Sequence, residues 1–418
     1  MQLRLSAACD AAALAGARAL SRGIDDGAQR AYAKATADTY FHANFATGYF
    51  ATIHLQVDSV AATDSTYMRS ITTTSSVELP FVFMRALGRA PMTLRASAKS
   101  TRRDVNIMIV MDRSGSLTNS GACAPLKTAA VNFVDKFAES RDNLGLITFA
   151  TSSMIDVALT TAFKAPVEST LNKVICTGAT SSAQALWQSY QTLAALAQTG
   201  ALNAIVFFTD GRPTAVTEDF PIQANCTNRA AKRGVLTPGY SSGVVTNTIF
   251  GLYKQDATAQ PMATDLTVIA DNAGCAFKND PTQVRSDVTY APLLDYWGNS
   301  LKATAYRTVT TSGAGLSITT GQNVENFSTN AADHAALRIR RGDPDLLNGN
   351  RTLPGVTIFS IGLGAVDDVL LKRIANDPSL IPNPVAAGNP GRYFYAADAT
   401  QLDLAFTRVA SEMLRLAR

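Results

Sequence analysis

The chain has 418 residues, with 37 Lys and Arg against 33 Asp and Glu and a formal net charge of +4. This small excess, without a dense Lys/Arg block, argues against a nucleic-acid-binding protein. A hydrophobic fraction of 46% and a charged fraction of 17% are typical of folded proteins, and the length allows two or three domains.

Residues 1–100 predict helices followed by a small antiparallel sheet. The Ala-rich stretch 6–20 and the stretch 31–41 have helical character. From residue 52 to residue 100 polar and apolar residues alternate, as in Ile53-His-Leu-Gln-Val57, which is typical of strands with one solvated face. We therefore expect a separate N-terminal region here.

An apolar run formed by Val105 and residues 107–111 predicts a parallel strand that is buried on both faces. The run ends in Asp112, which Ser114 and Ser116 follow. Ligands of open α/β sheets bind beyond the carboxyl ends of such strands, and carboxylate and hydroxyl oxygens suit Mg²⁺ better than zinc or copper. The simpler alternative is a strand-to-helix turn in which one of the two serines caps the next helix.

This Asp-x-Ser-x-Ser pattern resembles the start of the metal-ion-dependent adhesion site of von Willebrand factor type A domains. In that family the metal is also held by a Thr from a second loop and an Asp from a third. The resemblance implies a metal site made of Asp112, Ser114, Ser116, Thr180 and Asp210. It implies Mg²⁺ as the ion, with Mn²⁺ or Ca²⁺ as alternatives, and an Asp or Glu carboxylate of a protein partner as the remaining ligand.

Strands that alternate with helices over 101–214 and 353–418 predict an α/β fold with a doubly wound, mostly parallel sheet, the Rossmann-like fold of type A domains. Residues 215–352 are rich in Thr, Asn, Ser and Gly, and a structureless loop of that length is improbable. We expect an inserted subdomain that closes with a helix at 330–341, whose basic residues 338–341 form a solvated face. We also expect Arg113 to point outward and steer acidic partners.

A second resemblance covers nearly the whole chain. The motifs Asp10-Ala-Ala-Ala-Leu-Ala-Gly-Ala17 and Phe81-Val-Phe-Met-Arg-Ala-Leu-Gly88, with those at 295–300 and 401–406, look like TadG-like proteins. These are membrane-anchored components associated with Flp (tight adherence) pilus assembly. The resemblance implies the bacterial cell envelope, at the extracytoplasmic face of the inner membrane, and pilus or envelope partners. No run of 18 apolar residues is present, so we expect the anchoring helix to be missing from this sequence.

Five cysteines bear on the compartment. Cys123 and Cys176 should lie near the same edge of the sheet, where a disulfide would brace two metal loops; Cys226 and Cys275 would then pair within the insertion, leaving Cys9. The pairing cannot be read from the sequence, and five reduced thiols of a cytosolic protein are the alternative. The TadG-like resemblance favours the two-disulfide, extracytoplasmic interpretation.

Signals of an enzyme are weak. The three histidines, His42, His54 and His334, are scattered, and neither a nucleophile elbow nor a phosphate-binding loop occurs. The sequence predicts a non-enzymatic, metal-dependent adhesion or assembly protein that binds no nucleic acid. Two alternatives stay open. One is a structural scaffold whose type A domain does not bind partners through the metal, and the other is a cytosolic type A subunit of an ATPase complex.

Overall fold

The computed structural model describes residues 1–20, 26–65, 68–80, 90–220, 232–241, 244–253, 290–302, 304, 306–382 and 386–417. The motif at 81–88 and the predicted pair of Cys226 with Cys275 lie outside these ranges.

The N-terminal module consists of two helices packed on one face of an antiparallel sheet. The helices are α1 (Gln2–Ala19) and α2 (Asp26–Asn44), and the strands, in the order β1-β2-β3, are β1 (Ile53–Ser65), β2 (Met68–Leu79) and β3 (Met92–Arg103). Small residues bring the helices close to the sheet. A Cβ atom at Gly16 would lie 2.6 Å from Cδ1 of Ile71 and 3.1 Å from the Ala33 carbonyl, so a larger residue would require its neighbours to shift.

The larger part of the chain is built on a six-stranded sheet with the order β14-β13-β7-β4-β5-β6. Its strands are β4 (Val105–Asp112), β5 (Asn143–Phe149), β6 (Ser153–Thr160), β7 (Leu202–Thr209), β13 (Thr357–Leu363) and β14 (Arg392–Ala396). All neighbouring pairs are parallel except the antiparallel pair of β5 and β6 at one edge. This doubly wound order confirms the predicted fold class.

Both faces of the sheet are covered, which explains the unbroken apolar run of β4. Met108 and Val110 belong to one core and Ile107 and Ile109 to the other, as expected for side chains that alternate along a strand. The first core is closed by α6 (Ser182–Leu196), α7 (Gly321–Arg341) and α8 (Asp368–Ala375). The second is closed by α4 (Cys123–Val134), α5 (Lys164–Lys173) and α9 (Leu402–Leu416).

Between β7 and β13 the chain adds a second small sheet. Its strands, in the order β10-β9-β8, are β8 (Val216–Phe220), β9 (Lys232–Ser241) and β10 (Val244–Tyr253), and a short hairpin pairs β11 (Thr311–Ser312) with β12 (Gly315–Leu316). Helix α7 begins at Gly321, earlier than the predicted Asn330, because the Thr320 side chain caps it by accepting from the amide of Asn323. Its apolar side packs on the large sheet. The predicted domain limits stay predictions.

Two of the three arginines at the end of α7, Arg338 and Arg340, are buried, so the predicted solvated basic face is wrong for them, whereas Arg341 is exposed. The Arg338 guanidinium lies 3.8 Å from the ring centroid of Trp187 and donates to the carbonyl of Trp297 at 2.9 Å. Arg340 donates to two carbonyls at the end of α8. A buried guanidinium is tolerated only with such acceptors, and these contacts fasten α7 to its neighbours.

The module and the large sheet are joined without a linker. Strand β3 ends at Arg103 and β4 begins at Val105, so only Asp104 separates them. The amide of Arg103 donates to the carbonyl of Ala417 at 2.6 Å, which ties the end of α9 to the junction. Within the described ranges, no helix has both the length and the apolar character needed to cross a membrane.

Candidate functional site

The ends of β4 and β7, adjacent in the sheet, bring two acidic residues together. Asp112 is the last residue of β4 and Asp210 directly follows β7. After Asp112 the chain turns into the short helix α3 (Gly115–Asn119), which carries Ser116. Asp112 and Ser114 are buried, whereas Ser116 is exposed and Asp210 is half-buried, so the cluster opens to solvent on one side.

Oxygen atoms of three predicted ligands, Ser114, Ser116 and Asp210, lie within hydrogen-bond distance of one another. Ser116 Oγ donates to Asp210 Oδ1 at 2.7 Å, Ser114 Oγ donates to the same oxygen at 3.3 Å, and the two serine oxygens are 3.0 Å apart. Asp112 joins the group through Oδ1, which accepts from the amide of Ser114 at 2.7 Å. The structure thus assembles Asp112, Ser114, Ser116 and Asp210 at one point.

Thr180 lies in the loop before α6, and backbone contacts dock this loop on its neighbours. The Thr180 carbonyl accepts from the amides of Thr214 and Ala215, at 2.9 and 3.2 Å, and the Gly178 carbonyl accepts from the amide of Gly115 at 3.0 Å. Gly178 has φ +94°, a conformation that disfavours other residues. Within the described part of the chain, the Thr180 hydroxyl makes no hydrogen bond to the other four predicted ligands.

A disulfide braces these loops. Cys123, at the start of α4, is bonded to Cys176, four residues before Thr180, and the predicted pair is confirmed. The Thr118 hydroxyl donates to the Cys176 carbonyl at 2.6 Å, a second link between the segments. Cys9 is a free, buried cysteine whose sulfur lies 3.1 Å from the hydroxyl of Ser75.

The two acids share a site that holds excess negative charge. Burial raises the pKa of Asp112 to about 7, and repulsion from Asp210 adds to this effect. Burial also raises the pKa of Asp210. Among the described residues, no Lys, Arg or His forms an ion pair with either carboxyl group.

One residue near the site contradicts its prediction, and another contributes to the site without having been predicted. Arg113 is buried and donates through Nε to the hydroxyl of Thr148 at 3.2 Å, so the prediction that it points outward is wrong. Thr209 was missed because it ends an apolar run and looks like a strand residue. Its hydroxyl donates to Asp112 Oδ2 at 2.6 Å and orients that carboxyl group.

The donor set fits a hard divalent cation. Two carboxylates and two hydroxyls meet at one point, no nitrogen or sulfur ligand is among them, and oxygen donors are those that Mg²⁺ and Ca²⁺ prefer. The ranges described contain no group of three or more His, Cys, Asp and Glu side chains placed to hold a metal. Hydroxyl oxygens must therefore complete any cation site here.

Residues 107–212, which include all five predicted ligands, match the family model of the von Willebrand factor type A domain. The chain contains a type A domain. No curated protein matches the sequence. The cluster lies within the matched residues, at the carboxyl ends of the parallel strands β4 and β7.

Several solved structures are similar to this chain. The pilus adhesin SpaC from Lactobacillus rhamnosus GG has a TM-score of 0.42 at 15% identity, over 87% of this chain and 35% of SpaC. The vWF domain of the type V pili tip protein Mfa5 from Porphyromonas gingivalis has a TM-score of 0.42 at 15% identity, over 76% of this chain and 97% of that domain. A point mutant of the PilB minor pilin from Streptococcus sanguinis has a TM-score of 0.40 at 13% identity, over 86% of this chain and 79% of that pilin. This chain spans about a third of the length of SpaC.

The remaining predicted features fall outside the cluster. His334 Nδ1 accepts from the amide of Ser300 at 2.9 Å, and burial lowers the pKa of this histidine to about 4. His54 lies in the N-terminal module beside Glu78. Asp367 caps α8 by accepting from the amide of Leu370, so this acid has a structural role at a helix start.

Proposed function

We propose that the type A domain is a non-enzymatic binding module that holds Mg²⁺ with Asp112, Ser114, Ser116, Thr180 and Asp210. One observation carries this proposal. Two carboxyl groups and two hydroxyls meet at one place, and no basic side chain of the described residues forms an ion pair with either carboxyl group. Two like charges in a partly buried site are unfavourable by themselves, and a divalent cation removes the conflict.

The protein residues have distinct tasks in this proposal. Asp112 and Asp210 supply anionic oxygens, while Ser114 and Ser116 supply neutral ones and Thr209 fixes the Asp112 carboxyl group. Bound Mg²⁺ would supply a positive centre that accepts one further oxygen, from an Asp or Glu of a protein partner. Because Ser116 is exposed and Asp210 half-buried, a partner side chain can reach the cluster.

The setting we propose is the bacterial cell envelope, where the protein acts in adhesion or in assembly of an Flp-type pilus. The support is the N-terminal resemblance to TadG-like proteins, together with the Cys123–Cys176 disulfide. Disulfides persist in oxidising compartments and are rare in the cytosol of most bacteria. This favours an extracytoplasmic protein over a cytosolic subunit of an ATPase complex.

The test is calorimetric titration of Mg²⁺ and Mn²⁺ into metal-stripped protein. We expect saturable binding that Asp112→Ala abolishes, because the substitution removes one of two anionic ligands. Asp135→Ala is the matched control, since Asp135 is an exposed acid of the same domain. A folded wild-type protein that binds neither ion would refute the metal site and leave the scaffold alternative.

A second measurement tests the open position. Mn²⁺ bound with an exchangeable water enhances the relaxation of solvent protons. We expect acetate, a minimal carboxylate, to reduce this enhancement for the wild-type protein by replacing that water. An enhancement that no carboxylate changes would show a closed, purely structural ion.

A further inference from the structure

One end of the N-terminal module exposes large apolar side chains. Leu3, in the first turn of α1, is 87% exposed, and Phe50, in the 3-10 turn Tyr49–Ala51, is 76% exposed. Ile53 at the start of β1 and Met92 at the start of β3 are exposed as well. We call these four residues the apolar tip.

Contacts show that the members of the apolar tip share one end. Arg4, next to Leu3, places its guanidinium 4.6 Å from the ring centroid of Tyr49, and that ring lies 5.1 Å from the ring of Phe50. Gln2 donates to the carbonyl of Arg95 in β3 at 2.7 Å. In the sheet, Ile53 pairs with Glu78, and the next residue of β2, Leu79, pairs with Met92.

The backbone beneath the apolar tip is strained in a way that exposes Phe50. Phe50, Ala51 and His54 have φ values of 52°, 59° and 52°. Left-handed backbone at residues other than glycine is unfavourable and persists where the surrounding structure imposes it. Three such residues within five positions, around a phenylalanine that packs little, indicate a surface kept for contact.

Charge indicates what the contact is. Residues 1–103 hold 12 Lys and Arg against 7 Asp and Glu, whereas residues 104–418 hold 25 against 26, so the module carries the basic excess of the chain. At the apolar tip, Arg4 and Arg95 are exposed. The nearby acid Glu78 lies 2.9 Å from Nδ1 of His54. Exposed apolar side chains beside cations match the interface of an anionic bilayer, which takes up the apolar groups and attracts basic ones.

We propose that the apolar tip inserts into the interface of an anionic lipid membrane, with Arg4 and Arg95 at the level of the headgroups. This contact is independent of the metal site and needs no membrane-spanning helix. It orients the module with the start of α1 toward the lipid. The type A domain, joined at the other end of β3, then faces away from the membrane.

The experiment is co-sedimentation of the full chain with phosphatidylcholine vesicles that contain or lack phosphatidylglycerol. We expect binding to the anionic vesicles. For Leu3→Ser/Phe50→Ser we expect the partition coefficient to fall by about tenfold or more, because the variant has less apolar surface to bury in the membrane interface. Arg4→Gln/Arg95→Gln should weaken binding only where phosphatidylglycerol is present. The control is Leu346→Ser/Ile381→Ser, which changes side chains that are 69% and 86% exposed elsewhere in the chain.

Two results would overturn the proposal. The first is a wild-type protein that does not sediment with anionic vesicles, or a tip variant that sediments as well as wild type. The second is a concentration-dependent dimer of the wild type that Leu3→Ser/Phe50→Ser abolishes, since a second copy would then cover the apolar tip. Circular dichroism and Mg²⁺ titration of the tip variant should match wild type and show that the fold and the metal site are intact.

Discussion

Replacing the buried Glu218 by methionine should stabilise the protein. Glu218 lies in β8 and is fully buried, and neither of its carboxyl oxygens has a hydrogen-bond partner among the residues that the structure describes. A buried polar group without a partner costs about 1–3 kcal/mol even when it is uncharged. Methionine has a similar volume and needs no hydrogen-bond partner. Glu218→Met should therefore raise the free energy of unfolding by about this amount in weakly acidic solution.

The gain should grow with pH. Burial, reinforced by repulsion from Asp295, raises the pKa of Glu218 well above its usual value of 4.5. Above pH 4.5 the unfolded chain loses this proton while the folded chain keeps it, so the stability of the wild type falls as pH rises toward the folded-state pKa. The fall is about 1.4 kcal/mol per pH unit for one proton. Glu218→Met removes this ionisable group, so the variant lacks this loss of stability with rising pH.

Urea unfolding between about pH 5 and pH 8, followed by tryptophan fluorescence, measures both effects. Trp187 and Trp297 are the two tryptophans of the chain, and both lie in the core that includes Val216 of β8. Glu168→Met, at an exposed position, is the matched control. A variant that is less stable than wild type at every pH, or that has the same dependence on pH, would refute the reasoning, because Glu218 would then be ionised and paired.

Three further variants test the architecture of the site. Cys123→Ser/Cys176→Ser opens a cross-link over a sequence separation of 53 residues, so the free energy of unfolding should fall by about 4 kcal/mol in urea titrations, and an unchanged value would contradict the bracing role. Gly178→Ala places a Cβ atom 2.8 Å from the Thr151 hydroxyl, at a residue with φ +94°. Because this distorts the loop that carries Thr180, calorimetry should show weaker Mg²⁺ binding than in the wild type. An equal affinity would contradict the prediction. Arg113→Met removes the buried hydrogen bond to Thr148 and should lower the melting temperature without altering Mg²⁺ affinity. An unchanged melting temperature with an altered Mg²⁺ affinity would contradict this structural role.

The sequence predicts the large sheet well because its signals are local. Runs such as 107–111 and 204–208 are apolar without alternation, which is typical of a strand buried on both faces. Asp112 and Asp210 end or follow such runs, so the rule that parallel strands end at a common edge is enough to bring them together. The predicted metal itself, and the role of Thr180 as a ligand, stay predictions.

The burial of the charged side chains could not be predicted, since it depends on contacts between distant elements. Arg113 looks like a surface residue in a polar turn, yet its acceptor is Thr148 on the neighbouring strand. Arg338 and Arg340 lie in a run of basic residues that is typical of a solvated helix end. Their acceptors come from residues 297–299 and from α8, which no local pattern connects to α7.

The direct passage of β3 into β4 has a mechanical consequence. Asp104 is the covalent link through which tension on the N-terminal module enters β4 and runs along the strand toward Asp112. Strand β4 lies in the middle of the sheet, hydrogen-bonded in parallel to β5 on one side and β7 on the other. A pull along β4 therefore loads both rows of hydrogen bonds together in shear. With a partner bound at Asp112, as proposed, and a tether at the other end, a central strand of the large sheet would lie on the line of force.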